Sequence, residues 1–171
     1  MFRPMRRTKQ QLELEECARI LKSSTSGVLA TAGAEGYPYA VPLSYVYLPE
    51  GASPHGAMPL GSIIFHCSPR GHKIEALEAN PKASFCVISQ DVPIPEEFAT
   101  HYASVIAFGT VRFVDDPSEK RQLLTALGAK YSPGLDNEAQ EEIDHFLKAT
   151  CVASLDIEHL SGKQARALAE H

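Results

Sequence analysis

The sequence IIFHCSPRGHKIEAL, at residues 63–77, holds the clearest structural signal in this 171-residue chain. Its apolar start is rich in β-branched and aromatic residues and predicts a strand, which ends in small polar residues. A short helix is predicted to follow over 71–79. It ends at Asn80-Pro81, because a proline ring disfavours helical geometry in the residue before it. The unit is therefore a strand, a tight connection and a helix.

Basic residues cluster where this helix begins. The exposed N–H groups and the dipole at a helix N-terminus attract an anion. Arg70, His72 and Lys73 would add charge-assisted hydrogen bonds to a phosphate placed there. The alternative is that Arg70 and Lys73 are solvated surface charges. Spacing alone does not choose between the two interpretations.

Strand-like segments lie on both sides of this unit. Strands are predicted within 27–48, as a hairpin that turns at 34–36, and over 62–68, 83–89, 104–114 and 150–157. Residues 49–61 and 91–100 are predicted as loops. Strands follow strands without regular helical crossovers. This order favours an antiparallel sheet or barrel over a doubly wound fold.

Three further helices are predicted from apolar periodicity and capping residues. Residues 10–23 carry an apolar stripe of Leu14, Cys17, Ala18 and Leu21. A second helix opens at Asp116-Pro117, where Asp116 caps, Pro117 suits the first position and Glu119 completes a capping box. A third helix follows a second capping box. That box consists of Asn137 and Gln140.

Two positions inside strands are unusual and invite a functional interpretation. His66 lies among apolar neighbours, so it is either a core histidine with satisfied hydrogen bonds or a polar group facing a ligand pocket. His66 and His72 lack a helpfully spaced carboxylate or thiolate, so no metal site is predicted. Pro42 cannot donate to a ladder, so Val41-Pro42-Leu43 predicts an edge strand or a bulge. Free backbone groups there could bond to the edge of a planar ligand.

Composition narrows the class of protein. The chain is 44% hydrophobic and 22% charged with a net charge of -5, which is ordinary for a globular domain and does not favour nucleic acid or membrane partners. No apolar run approaches the roughly 20 residues that span a bilayer, so a cytoplasmic location is expected. Dinucleotide-binding, P-loop and serine-hydrolase motifs are missing. The four cysteines form no metal-binding motif and are interpreted as buried thiols: Cys17, Cys67, Cys86 and Cys151.

Several segments, taken in order, resemble one known family. They are 37–48 (YPYAVPLSYVYL), 64–73 (IFHCSPRGHK), 83–88 (ASFCVI), 102–109 (YASVIAFG) and 158–163 (EHLSGK). Together with the opening FRPMRR, they are similar to nitroimidazole-resistance-type proteins, which belong to the wider pyridoxamine 5′-phosphate oxidase-like flavin proteins. The resemblance runs from about Phe2 to Lys163. The chain lacks the C-terminal W-x-x-R-x-R-P-type segment of the vitamin B6 oxidase itself, so pyridoxamine phosphate oxidation is not expected.

The resemblance implies a mainly β fold with flanking helices, a six-stranded antiparallel split β-barrel that forms a homodimer with FMN at the interface. The split-barrel domain is expected at 10–163, with a mobile basic N-terminal arm at 1–9 and a C-terminal tail at 164–171. The implied activity is FMN-dependent reduction of a small-molecule substrate, with nitro groups as one possibility. Alternatives are a non-catalytic flavin- or haem-binding module, or use of the deazaflavin F420.

The resemblance also assigns roles to individual positions. It implies a flavin-ring contact at Val41, Pro42 and Leu43, and phosphate-side contacts at His66, Cys67, His72 and Lys73. It implies a further polar contact at Ser104. His66 matches the family histidine beside the flavin and is assigned the catalytic role.

Overall fold

The computed structural model describes residues 2–56 and 58–169, and it contains eight strands and five helices within them. The strands are Gln11–Leu12 (β1), Ser26–Ala32 (β2), Pro38–Ser44 (β3), Val46–Leu48 (β4), Ser62–Cys67 (β5), Lys82–Ile94 (β6), Ala99–Phe113 (β7) and Cys151–Gln164 (β8). The helices are Leu14–Ser23 (α1), His72–Ala79 (α2), Pro117–Tyr131 (α3), Asp136–Phe146 (α4) and Arg166–Ala169 (α5). Short 3₁₀ turns occur at Thr8–Gln10, Ala34–Gly36 and Pro95–Glu97.

All strand pairs are antiparallel, and the sheet runs in the order β3-β2-β6-β7-β8-β5-β4, with β1 paired to β8. Its two end strands, β3 and β4, are separated in the chain by Tyr45 alone. The sheet must therefore curl until its ends meet, which makes it a barrel. The predicted class, a mainly β split barrel with flanking helices, is confirmed. The predicted count of six strands is wrong. The two-residue strand β1 was not predicted, and the single strand expected up to residue 48 is divided at Tyr45 into β3 and β4.

The barrel interior holds the main core. Leu29, Phe65, Phe85 and Leu155 are fully buried in it. A second, smaller core lies between the outside of the barrel and α3, where strand residues meet helix residues: Ile64, Val114, Leu123, Leu127 and Val152. Strands β5 and β8 are thus buried on both sides, which explains their nearly continuous apolar runs.

The predicted loop at 91–100 is instead a hairpin. Strand β6 continues to Ile94 and β7 begins at Ala99, and the two pair along their whole length after a register shift between Ile88 and Gln90. The prolines and acidic residues of this segment are not typical of strands. Such residues are accepted here because the two strand ends pair with each other and do not lie over the core. The strands at 83–89 and 104–114 are correct but too short.

The helix predictions are partly confirmed. The Asp116 Oδ1 accepts a hydrogen bond from the Glu119 N–H at 2.8 Å, as predicted for a cap. Helix α1 begins at Leu14 and not at residue 10, because Gln11 and Leu12 pair with β8. Leu14 is 54% exposed, so the prediction that it belongs to the buried apolar stripe is wrong. The second capping box is also wrong. Helix α4 begins at Asp136, and the Gln140 side-chain amide donates to the Thr125 hydroxyl instead.

The two chain ends lie against the barrel. In the arm, the Phe2 ring stacks on the His159 ring with centroids 4.5 Å apart, and Thr8–Gln10 forms a 3₁₀ turn. The tail contains α5, which contacts that turn. Residues 170–171 of the predicted tail, like Met1 of the arm, lie outside the described residues. The division into arm, domain and tail stays a prediction.

Candidate functional site

The start of α2 lies beside strand β3. The His72 ring contacts the Tyr39 ring, with centroids 4.1 Å apart and planes inclined by 31°. Within the described residues, strand β3 pairs only with β2, so its other edge is free of ladder hydrogen bonds. The edge strand predicted from Pro42 is therefore confirmed. The fold brings the two halves of the predicted flavin site together, a free strand edge and a helix N-terminus.

The three predicted ring-contact residues do not point the same way. The Val41 and Leu43 side chains pack partly buried against the main core, whereas Pro42 is exposed on the outer face. Alternation along a strand requires this arrangement. A ligand at this edge would therefore meet the backbone of Val41 and Leu43, and the ring of Pro42.

The N-terminus of α2 is open. Gly71 precedes it with a φ of +123°, a conformation that favours glycine. Among the residues that the structure describes, no side chain caps the first turn. The Gly71 carbonyl accepts hydrogen bonds from Ile74 and Glu75 at 2.9 and 3.2 Å. The half-buried Lys73 and the exposed His72 occupy the first turn. This arrangement suits an anion, because the helix dipole and the Lys73 ammonium act in the same sense.

Cys67 ends β5 close to this turn. A hydrogen bond with the Cys151 thiol, and secondarily the Lys73 ammonium, lower the pKa of Cys67 to about 7 against the opposing effect of burial. The same hydrogen bond and burial raise the pKa of the Cys151 thiol. Both thiols are half-buried rather than buried, and so is that of Cys86, so the prediction of four buried thiols holds only for Cys17.

His66 faces a different space from Cys67. Its exposed side chain lines a cleft of about 750 Å³ between the barrel and helices α3 and α4. Tyr131 and Ser44 line the same cleft, together with apolar residues of both helices. Of the two interpretations of His66 drawn from the sequence, a core histidine is wrong, since the ring opens onto a ligand-sized cavity.

Ser104 lies apart from the other predicted residues. It pairs with Ile88 on β6 and with Lys163 near the end of β8, whereas Cys67 pairs with Cys151 at the start of β8. Strands β2 and β6 separate it from β3. One chain therefore does not bring Ser104 to the α2 end of the site.

Sequence reasoning missed three residues at or near the site: Tyr39, Tyr131 and Cys151. Tyr39 stands two residues before Val41, and alternation along β3 was a usable signal that its ring shares a side with Val41. No local signal marks the others. Tyr131 reaches the site from α3, and Cys151 meets Cys67 only through the pairing of β5 with β8.

A sequence model of the pyridoxamine 5′-phosphate oxidase family matches residues 13–164, nearly the whole chain. The protein therefore belongs to this family. Among curated proteins, none is similar enough in sequence to count as a match. No helix in the described part of the chain is long and apolar enough to cross a membrane.

Solved structures share this fold at low sequence identity. One is a putative 5-nitroimidazole antibiotic resistance protein from Bacteroides thetaiotaomicron, with 19% identity, a TM-score of 0.71 and 90% and 86% of the two chains covered. Another is a conserved hypothetical protein from Mycobacterium tuberculosis, with 17% identity, a TM-score of 0.75 and coverage of 96% and 92%. A third is the FAD and haem binding protein from Mycobacterium smegmatis, with 23% identity, a TM-score of 0.73 and coverage of 92% and 73%.

Proposed function

We propose that this protein binds FMN and reduces small molecules with it, nitro compounds among the candidates. The observation that carries the proposal is the convergence of the free β3 edge with the open N-terminus of α2, which the Tyr39–His72 contact marks. A flavin mononucleotide needs both parts, a planar surface with free backbone groups and an anion site one short ribityl chain away. The family match and the naming of FAD in a structural neighbour support a flavin cofactor, and FMN is our choice among the flavins.

The residues present fit that group. Lys73 and the first-turn N–H groups of α2 would hold the phosphate, with His72 beside them. The backbone at Val41 and Leu43, with the Pro42 ring, would meet the isoalloxazine edge. Cys67 would lie along the phosphate side. When bound, flavin supplies two-electron transfer, and the protein supplies position and electrostatics.

His66 would act on the substrate. It is exposed to a cleft large enough for a small molecule and mostly apolar in its helical wall, as ligand pockets are. A ring nitrogen there would donate a hydrogen bond or a proton to the substrate near neutral pH.

A second copy of the chain would complete the site. Ser104 cannot join the α2 end within one chain, so its predicted flavin contact requires it to come from a partner. It lies on an outer sheet face with apolar neighbours, where Val28, Ile88 and Ile106 are 37%, 62% and 36% exposed. Ladder partners connect these strands side by side, so the residues form one surface. An apolar face of this kind marks an interface.

A second candidate is a flavin- or haem-binding module without turnover. The relative from Mycobacterium smegmatis is named for both FAD and haem, and His66, exposed in a roomy cleft, is a chemically suitable axial ligand for iron. The deazaflavin F420 would use the same strand edge and anion site. The candidates differ in the chromophore that they bind.

The decisive experiment is an absorbance spectrum of the purified protein, followed by mass analysis of the cofactor released by mild denaturation. We expect the blue absorption of oxidised flavin and the mass of FMN. A Soret band would support the haem-binding module. Release of a molecule with the mass of F420 would show that the cofactor is F420 and not FMN. A colourless protein that also fails to bind added FMN would overturn the flavin site, although not the fold.

A further inference from the structure

We propose that Cys67 and Cys151 form a redox-active dithiol, which a small-molecule disulfide converts reversibly into an intrachain bond between β5 and β8. This inference does not depend on the proposed flavin chemistry. It rests on a pair of cysteines that the fold places opposite each other, at the end of the barrel where α2 begins.

The register of the sheet brings the two cysteines together. Cys67 and Cys151 are directly opposed in the antiparallel β5–β8 pair. Opposed residues in such a pair have Cα atoms about 4.5–5.5 Å apart, within the roughly 4.4–6.8 Å that a disulfide spans. Their side chains share one face, and the pKa of each thiol is shifted by the other. Both are half-buried, so a small reagent can reach them.

The other two cysteines lack these features. Cys17 is fully buried in α1, and its thiol is 4.0 Å from the Leu12 carbonyl oxygen. Cys86 is half-buried on β6, opposite Val28 and Ile106. Neither has a cysteine across the ladder. The pairing is therefore specific to one position of the sheet.

The surrounding charges give the two thiols different roles. The Lys73 ammonium from α2 favours the Cys67 thiolate. The hydrogen bond and burial disfavour a Cys151 thiolate most strongly, and Asp115, just before α3, disfavours it too. Lys120 of α3 favours that thiolate, but less strongly. The pKa of Cys67 is lowered to about 7 and that of Cys151 is raised. Cys67 is therefore the attacking thiol and Cys151 the resolving one.

The reaction balances with a small disulfide as the oxidant. The Cys67 thiolate attacks one sulfur of that disulfide, whose S–S bond breaks and releases one thiolate. The Cys151 thiol then gives up its proton to the released thiolate and attacks the Cys67 sulfur, which expels the second thiolate. Counted from the dithiol, whose Cys67 proton passes through solvent to the second released thiolate, the protein loses two electrons and two protons and gains one S–S bond. The small disulfide becomes two thiols.

Oxidation would act on the helix next to the pair. Only residues 68–71 separate Cys67 from the first residue of α2. The new bond would fix the end of β5 to β8 and remove the thiolate near Lys73. The redox state of the pair would therefore change the surroundings of the α2 N-terminus.

The test uses the full-length protein, fully reduced, desalted and incubated with oxidised glutathione at pH 7. Peptide mapping by mass spectrometry should show a Cys67–Cys151 cross-link, with a loss of two hydrogens per chain that dithiothreitol reverses. Cys151→Ser should accumulate a single glutathione adduct on Cys67, because the resolving thiol is gone. Cys67→Ser should give no cross-link. Cys86→Ser, the matched control, should cross-link as the parent does.

Three results would overturn the proposal. They are glutathione adducts without a cross-link in the parent protein, a cross-link between chains or through Cys86, and adducts on Cys151 rather than Cys67. The peptide map of the parent protein shows by itself which cysteines are cross-linked. The test of the pairing therefore does not depend on whether a serine variant folds. In the parent protein at pH 7, Cys67 should react with oxidised glutathione about tenfold faster than Cys86, because the thiol pKa of Cys67 is lowered and that of Cys86 is raised.

Discussion

At the scale of single residues, Lys73 is the most informative position. It is half-buried in the first turn of α2, next to Cys67 and beside the Tyr39–His72 pair. If it holds a phosphate, Lys73→Ala removes a charge-assisted hydrogen bond, which is worth about 1.5–3 kcal/mol. We expect FMN affinity to fall roughly 10-fold to 100-fold, measured by fluorescence titration of the apoprotein. Lys22→Ala, at an exposed position of α1, is the matched control. Equal FMN affinity in both variants would remove Lys73 from the site.

His66 makes a separate prediction, because it faces the cleft rather than α2. His66→Gln keeps a polar side chain but cannot carry a proton, and general acid catalysis commonly contributes about a hundredfold or more. We expect substrate turnover to fall by roughly that factor while FMN affinity stays within about twofold. Stopped-flow measurement separates flavin reduction from reoxidation by the substrate. Unchanged rates in both steps would exclude His66 from the mechanism.

At the scale of elements, the join between β3 and β4 is the part that most needs support. Tyr45 interrupts the ladder there, and its side chain is completely buried. The Tyr131 hydroxyl at the end of α3 accepts a hydrogen bond from the Tyr45 N–H at 2.7 Å and contacts the Tyr45 and Thr25 carbonyl oxygens at 2.8 and 2.5 Å. The neighbouring Lys130 ammonium donates to the Ser24 carbonyl at 2.6 Å. Helix α3 therefore holds together the corner at which the barrel closes.

We predict that Tyr131→Phe destabilises the fold by about 1–2 kcal/mol, because it leaves a buried backbone N–H without a partner. Urea denaturation followed by circular dichroism measures the change. Tyr37→Phe removes the same hydroxyl from a side chain that is 76% exposed and should change the free energy of unfolding by less than about 0.5 kcal/mol. Similar midpoints for the two variants would show that the corner does not depend on Tyr131.

At the scale of the whole molecule, the outer face of β2, β6 and β7 is the surface on which we expect a second chain to complete the proposed site. Ile88 stands on that face directly opposite Ser104. A charge at Ile88 would be buried without a partner in an interface, which costs several kcal/mol. We expect Ile88→Lys to weaken dimerisation at least tenfold and to lower FMN retention with it. Analytical ultracentrifugation and flavin release measure the two effects.

Leu14→Lys is the control for that experiment, because Leu14 is similarly exposed but lies on α1, away from this face. It should leave both the association constant and flavin retention unchanged. A parent protein that is monomeric at all concentrations and still binds FMN would contradict the two-chain site. So would an Ile88→Lys dimer as stable as the parent dimer.

Local chemistry in the sequence determined most of the elements. The strand–helix unit at 63–77, the hairpin that turns at 34–36 and the Asp116 cap follow from residues within one or two turns of each other. Pro42 alone indicated an edge strand or a bulge, because an imide nitrogen cannot donate to a ladder, and the structure has the edge strand. The same local reasoning failed where burial did not set the pattern, as in the hairpin that contains residues 91–100.

The tertiary structure decided which of these elements meet. Closure of the sheet at Tyr45, the Tyr39–His72 contact, the opening of His66 onto the α3–α4 cleft and the opposition of Cys67 to Cys151 all join distant segments. Such contacts depend on which strands become neighbours and on which helices cover them, and both are decided by packing between segments that are distant in the chain. The sequence by itself thus determined a mainly β chain with basic residues at the start of one helix. Only the packing of the barrel determined what stands beside that helix.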